Sequence, residues 1–473
     1  MTTTSRRRLL AVIVVCSGMA MAACSGSDGT AGSAATTTAP DATAAGDESW
    51  KDDARAWCDD ASVGVAAIAR PVPLPEDVRR WVEENLAERE RVAALTAIDM
   101  PAELADEPTD LPGLAAIADR WATTAADQLA DGVLSGPVVE LPPFSDTAAG
   151  SVEHFRAAVG EMATILALAG VPCAPADPAR AAQADLNVPV LTAWAVETGF
   201  GSVWVAEEVE SVVKRIDPDT GAVQAVVDVG SIPVKLHPAD GRMVVRTADA
   251  YVAIDPATDT VVDTLAKGDV GPAADRSWAV DGALWICDGP RLHRYDPTTL
   301  QPVSAVELGF DCGHVYATED LVIPWTYNQD AGESGASVAA FVDPATNGVL
   351  ATVDLPVDVG VPVVLDEMVY FNGASHAVVV DRATWTVADT PELGTRSSGG
   401  SQPAYDGTSI YVIVEKRDVV VVDPSTFEIT ETIEAFDFAM PLGNQVNSLA
   451  VAPGALWVVN DEAGILQRFD RPT

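Results

Sequence analysis

His314 and His376 are the side chains in this sequence best placed for proton transfer or metal ligation, because they come from neighbouring repeats and could face one another in a closed ring. As a metal pair they lack a third His, Asp or Glu at ligand spacing, a part that Glu333 or Glu415 would have to play. Trp325, Tyr327 and Asn328 follow one another closely, and Arg276 and Arg396 flank them in other repeats. Lys416, Arg417, Phe436, Phe438 and Met440 share the same kind of setting. Exposed aromatics beside Arg and Asn suit recognition of a sugar, a peptide or a protein surface. Serine hydrolysis would need a Gly-x-Ser-x-Gly elbow between a strand and a helix, which the sequence does not supply. His154 stands alone in a helical stretch and reads as solvated or capped rather than as a ligand. Nothing here demands catalysis.

These residues sit on a repeat. An apolar residue precedes Asp-x-x-Thr at Asp217, Asp255, Asp296, Asp343, Asp381, Asp423 and Asp470, a spacing of 38 to 47 residues. That is the length of a four-stranded unit and too long for a heptad or a hairpin. Each unit carries a second apolar run of strand length, such as Val203-Trp204-Val205, Leu284-Trp285-Ile286 and Leu456-Trp457-Val458. Asp240-Gly241, Asp281-Gly282 and Asp406-Gly407 are hairpin turns in which glycine supplies positive φ. The pattern predicts an all-β seven-bladed β-propeller over residues 185–473, preceded by an α-helical bundle. The repeated aspartates read as turn formers, and Trp204, Trp285 and Trp457 as packing between blades.

The seventh unit stops just after its third strand, so residues 185–190 are expected to supply the missing fourth and close the ring. Short turns fall on one face. The longer connections 325–337, 392–402 and 434–447 fall on the other, which is therefore the expected binding face. Trp325, Tyr327, Asn328, His314, His376, Arg276 and Arg396 all belong to it.

The blades resemble those of YVTN-type and quinoprotein-dehydrogenase-like propellers, in which the second strand reads like Gly-x-Leu-Trp-Val and the third ends in Ile-Asp-Pro-x-Thr. The resemblance covers residues 185–473 and implies fold rather than function. Quinone-cofactor chemistry would bring a tryptophan floor, calcium ligands and usually a vicinal disulfide, and no adjacent cysteines occur. A likeness to streptogramin-inactivating propeller lyases would require His314 or His376 with Glu333 or Glu415 around magnesium.

Arg6, Arg7 and Arg8, an apolar run from Leu9, and Met21-Ala22-Ala23-Cys24 compose a signal peptide over residues 1–23. Its end resembles the lipobox of bacterial lipoproteins, with Met21 in place of the usual leucine and Cys24 as the lipidated residue. An ordinary signal peptide with later cleavage is the alternative. Residues 24–48, rich in Ser, Gly, Thr and Ala, read as a disordered tether. The net charge of −42, or −45 after loss of three arginines, disfavours nucleic acid and anionic lipid surfaces. Five lysines among 28 basic residues, with abundant Ala, Val and Asp, resemble actinobacterial usage.

Residues 49–175 carry apolar residues at helical spacing, including Val78, Trp81, Val82 and Leu86, and Val152, Phe155, Val159, Met162 and Leu166. Trp57 and Trp81 read as core. Four cysteines besides Cys24 favour two disulfides in an exported chain, and of three pairings Cys58 with Cys173 and Cys287 with Cys312 are expected. The helical stretch resembles small helical domains of exported actinobacterial proteins closed by a terminal disulfide.

The sequence thus predicts a lipoprotein anchored to the cell membrane, on its extracytoplasmic face. Its propeller would bind a cell-envelope glycan, peptide or protein without a cofactor. The alternative is a lyase or lactonase with a divalent metal at the channel mouth.

Overall fold

The computed structural model describes residues 49–473 apart from 69–77, 102–103, 105–110, 134–146, 170, 172–183, 191–192, 272, 275, 328–336, 374–375, 393–401, 415–417, 435–445, 461–464 and 472–473. Signal peptide and tether therefore lie outside the described residues, as do Cys173 and most of the long connections.

Seven four-stranded antiparallel sheets form the propeller. Blade 1 contains β2 (Ala193–Gly199), β3 (Ser202–Glu207), β4 (Val212–Ile216) and β5 (Val223–Asp228), and β1 (Leu186–Pro189) belongs elsewhere. Blade 2 contains β6 (Pro233–Ala239), β7 (Arg242–Thr247), β8 (Ala250–Asp255) and β9 (Thr260–Ala266). Blade 3 contains β10 (Arg276–Val280), β11 (Ala283–Asp288), β12 (Arg291–Tyr295) and β13 (Pro302–Glu307). Blade 4 contains β14 (His314–Ala317), β15 (Val322–Tyr327), β16 (Ser337–Asp343) and β17 (Gly348–Leu355). Blade 5 contains β18 (Val359–Val364), β19 (Met368–Gly373), β20 (Val378–Asp381) and β21 (Thr386–Asp389). Blade 6 contains β22 (Ala404–Tyr405), β23 (Ile410–Val414), β24 (Asp418–Val422) and β25 (Ile429–Ile433). Blade 7 contains β26 (Val446–Ala452), β27 (Ala455–Asn460) and β28 (Ile465–Asp470), and its outer strand is β1. Leu186 opposes Arg468 and Pro189 opposes Ile465, so the first strand of the ring closes the last blade.

The Asp-x-x-Thr turns are built by the aspartate. Asp217 Oδ1 accepts from the backbone N–H of Asp219 and Thr220 and from Thr220 Oγ1, at 2.9–3.0 Å. Asp381 does the same with Ala383 and Thr384. These hydrogen bonds hold the Asp217 and Asp381 carboxyls below the ordinary range, with the Thr220 and Thr384 N–H groups the largest cause. The residue after the threonine adopts positive φ and returns its N–H to the aspartate carbonyl at Gly221, Asp259, Leu300, Asn347, Trp385 and Phe427. Bulky residues rarely accept this conformation. Here packing retains them: Leu300 is buried, Trp385 stacks on Phe341 at 4.5 Å and Phe427 on Tyr370 at 5.9 Å.

The strand tryptophans do pack between blades. Trp204, Trp285 and Trp457 are fully buried, each against residues of the next blade. Across the ladder from them stand Arg215, Arg294 and Arg468. Each arginine donates to the carbonyl of a proline in the next blade's turn: Arg215 to Pro256, Arg294 to Pro344, Arg468 to Pro218, at 2.7–2.8 Å. The guanidinium groups of Arg215 and Arg294 also lie over the Trp204 and Trp285 rings.

Before the ring come α1 (Ser49–Ile68), α2 (Val78–Leu86), α3 (Arg89–Ala93), α4 (Leu111–Ala130) and α5 (Ala148–Leu168), and α6 (Lys267–Val270) lies between β9 and β10. Trp57 and Trp81 are buried, as expected. The helices do not separate from the propeller: residues Glu48–Thr473 cluster as one compact unit. The β3–β4 loop makes the link. Val209 joins the helical core, Arg120 pairs with Glu210, and Trp194 Nε1 donates to Glu208. His154, expected to be solvated or capped, is instead buried in this junction, with Trp121 edge-on at 4.3 Å and Glu208 Oε1 3.6 Å from its Nε2. The Cys287–Cys312 disulfide joins blades 3 and 4 as expected. Cys58 is disulfide-bonded as well.

Candidate functional site

The innermost strands of blades 1–4 carry a continuous run of polar and aromatic side chains. Alternation along a strand sends every second residue toward the following blade. Glu197 on β2, Lys235 and His237 on β6, Arg276 and Trp278 on β10, and His314 and Tyr316 on β14 occupy such positions. The rings of His237, Trp278 and Tyr316 follow one another from blade to blade, with centroids 4.6 and 4.5 Å apart. Lys235 Nζ lies 5.7 Å from the Trp278 centroid. Arg246 on β7 stands opposite Lys235 in the ladder.

Electrostatics tie the run together. Burial pushes the Glu197 carboxyl up to about 7, against the opposing effects of the Thr198 N–H and Lys235. Burial draws Lys235 down to about 8; Glu197 counters this, while Arg246 and Arg276 add to it. His237 falls well below the ordinary histidine range through burial, then through Lys235 and Arg246. His314 falls to about 4 through burial, then Arg276 and Arg246. Burial raises the Tyr316 hydroxyl to about 12, with Glu197 adding to it. Burial thus favours the neutral form of both imidazoles, and it opposes the charge on Glu197 and on Lys235 alike.

His237 Nε2 has no hydrogen-bond partner among the described residues. Lys235, Arg276, His314 and Tyr316 are partly exposed, whereas His237, Arg246 and Trp278 are buried. The cluster can thus be reached from solvent and has a packed floor.

Of the residues expected from sequence, His314, Trp325 and Arg276 come together here. Trp325 is not on a loop: it lies within β15, 1% exposed, with its ring stacked on His314 at 5.1 Å. Tyr327 is the last residue of β15. His376 sits on blade 5, bridged to Glu392. Asn328, Arg396, Glu333, Glu415, Lys416, Arg417, Phe436, Phe438 and Met440 lie outside the described residues. Among the described residues no three His, Cys, Asp or Glu side chains gather as metal ligands. Sequence reading missed Glu197, Lys235, His237, Trp278 and Tyr316. One signal was available: Glu197, His237 and Trp278 face Trp204, Val244 and Trp285 across the first hairpin of their blades, so counting back from the strand tryptophan finds the inner rung.

No family model matches this sequence, and no curated protein matches it. Among solved structures, hydrazine synthase of Kuenenia stuttgartiensis is similar with a TM-score of 0.48 and 10% identity, over 60% of this chain and 96% of that one. BamB from Moraxella catarrhalis is similar with a TM-score of 0.41 and 15% identity, over 59% of this chain and 85% of that one. At such values the likeness carries nothing about function, and the seven-bladed architecture stands on the strand pairing itself.

Proposed function

We propose that this chain is a lipid-anchored extracytoplasmic protein whose propeller is a ligand- or protein-binding module of the cell envelope. The observation that carries the reading is the aromatic and cationic run on the inner strands of blades 1–4, a packed floor with reachable polar groups, as binding sites require. The lipobox-like Met21-Ala22-Ala23-Cys24 supports the anchor. Helices of residues 49–175, closed by Cys58 and Cys173, form the membrane-proximal part, docked on blade 1 through Glu208, Val209 and Glu210.

A thermal-shift series on the full chain, with glycan, peptide and peptidoglycan fragments and with calcium, magnesium and chelator, tests the binding reading. Stabilisation by a fragment without metal supports it. A metal-dependent, chelator-reversible shift would replace it with the lyase or lactonase alternative. Cys24→Ala tests the anchor: it should move the protein from the membrane to the soluble fraction, and unchanged membrane association would refute lipidation at Cys24.

A further inference from the structure

The Cys287–Cys312 bridge lies directly behind the inner strands of blades 3 and 4. Cys287 stands opposite Arg276 in the ladder of β10 and β11, and Cys312 stands two residues before His314, the first residue of β14. Both sulfurs lie 3.3 Å from the backbone carbonyl oxygen of His314. His314 in turn faces Trp325 across its ladder, with the two rings stacked at 5.1 Å. The two cysteines also share an apolar cluster with Trp278, Trp285 and Val315, against which Tyr316 packs. One covalent link therefore touches both the strand of Arg276 and Trp278 and the strand of His314 and Tyr316.

β14 depends on that link. It has four residues and pairs within its sheet with β15 alone. Its start is tied by the Cys312 N–H to Gly289 O at 2.8 Å and the Gly313 N–H to Trp325 O at 3.0 Å. Gly313 approaches β15 so closely that a Cβ there would meet Thr326 Oγ1 at 3.1 Å. The bridge spans 25 residues, which hold β12 and β13, so opening it removes no cross-link from any blade other than 3 and 4. Cys287 is fully buried and Cys312 7% exposed, on a connection where Gly309 and Asp311 are exposed. Cys312 Sγ is thus the sulfur an incoming thiolate reaches first.

We propose that this bridge is a redox latch on the inner strands: closed, it holds β14 beside β10; opened by a dithiol, it releases β14 and parts the Trp278 and Tyr316 rings, now 4.5 Å apart. The ring itself stays closed through β1. In the opening step a thiolate of the dithiol attacks Cys312 Sγ and Cys287 leaves as a thiolate. The second thiol gives its proton to Cys287 and displaces Cys312, which takes up the proton that the first thiol had lost. The dithiol ends as a disulfide and the two cysteines as thiols. The latch goes beyond the binding reading and does not depend on it.

Hydrogen–deuterium exchange on the full chain, oxidised and treated with dithiothreitol, tests it, with alkylation and mass spectrometry to identify the cysteines that opened. Reduction should speed exchange at least tenfold in His314–Ala317, and also in Arg276–Val280, while Val378–Asp381 and Asp418–Val422 stay unchanged. Cys287→Ala combined with Cys312→Ala should show the faster exchange without reductant and no further response to it, which separates this bridge from that of Cys58. A bridge that dithiothreitol fails to open in the folded chain overturns the proposal. So does exchange in His314–Ala317 unmoved by reduction, or acceleration spread equally over all seven blades, which would make the bridge a general staple.

Discussion

Glu197 and Lys235 are the residues whose ionisation the fold has altered most usefully, and stability should record it. Glu197 keeps its proton up to about 7 in the fold, against an ordinary 4.5. Between those values the unfolded chain has released a proton that the folded chain still holds, so stability falls as pH rises from 4.5 to 7. Lys235 acts in the opposite sense between about 8 and 10.5, where the folded chain has released the proton first and stability rises. Glu197→Gln should therefore flatten the loss between pH 5 and 7, measured by urea denaturation at several pH values. A variant curve parallel to the parent's would show that Glu197 is not the group responsible. At this scale the sequence was partly legible. His314 and Arg276 stood out as a histidine and an arginine on the expected binding face. Glu197, Lys235 and His237 did not, because their importance comes from a neighbouring blade's strand and not from their own spacing.

At the level of elements, the pairing of tryptophan and arginine across the second and third strands is what couples one blade to the next. Arg294 lies over Trp285 at 5.3 Å and donates to Pro344 in blade 4. Arg294→Ala should cost about 1–3 kcal/mol, the worth of a charge-assisted hydrogen bond with its ring contact. Trp285→Ala should cost about 3–5 kcal/mol, as for a large buried ring. The double variant should lose less than the sum, because the two share one interface. Strict additivity in chemical denaturation would contradict the coupling. The tryptophans and the Asp-x-x-Thr turns were readable from sequence, since both recur. The arginines were not, because they occur in blades 1, 3 and 7 only and their acceptor is a carbonyl in the next blade. The positive φ of Leu300, Trp385 and Phe427 was hidden as well, since no glycine marks it and only tertiary packing permits it.

For the whole molecule, closure and docking decide the architecture. β1 enters blade 7 beside β28, and Gly221 of blade 1 lies against it: a Cβ there would meet Val188 Cγ2 at 2.7 Å, on a backbone with φ of +74°. Gly221→Ala should destabilise the ring by about 1–3 kcal/mol through strain and crowding together. An unchanged melting temperature would show that the closing strand can shift at no cost. The ring, its number of blades and its closing strand were legible because the repeat has a length and the last unit a missing strand. The junction with the helices was not, since Val209, Glu208 and His154 are far apart in sequence and each alone looks ordinary. That junction draws on the connection after a second strand, and the Cys287–Cys312 staple joins the end of a second strand to the connection before the next blade's first strand, so the two mark one face of the ring. Inner strands that begin at that face carry the cationic and aromatic run.

Hydrogen–deuterium exchange on the full chain, with and without the best stabilising fragment from the thermal series, tests most directly that these inner strands receive the ligand. The account predicts slowed exchange in Pro233–Ala239, Arg276–Val280 and His314–Ala317. Protection confined to the Asp-x-x-Thr turns or to the outer strands, with these three unchanged, would contradict it.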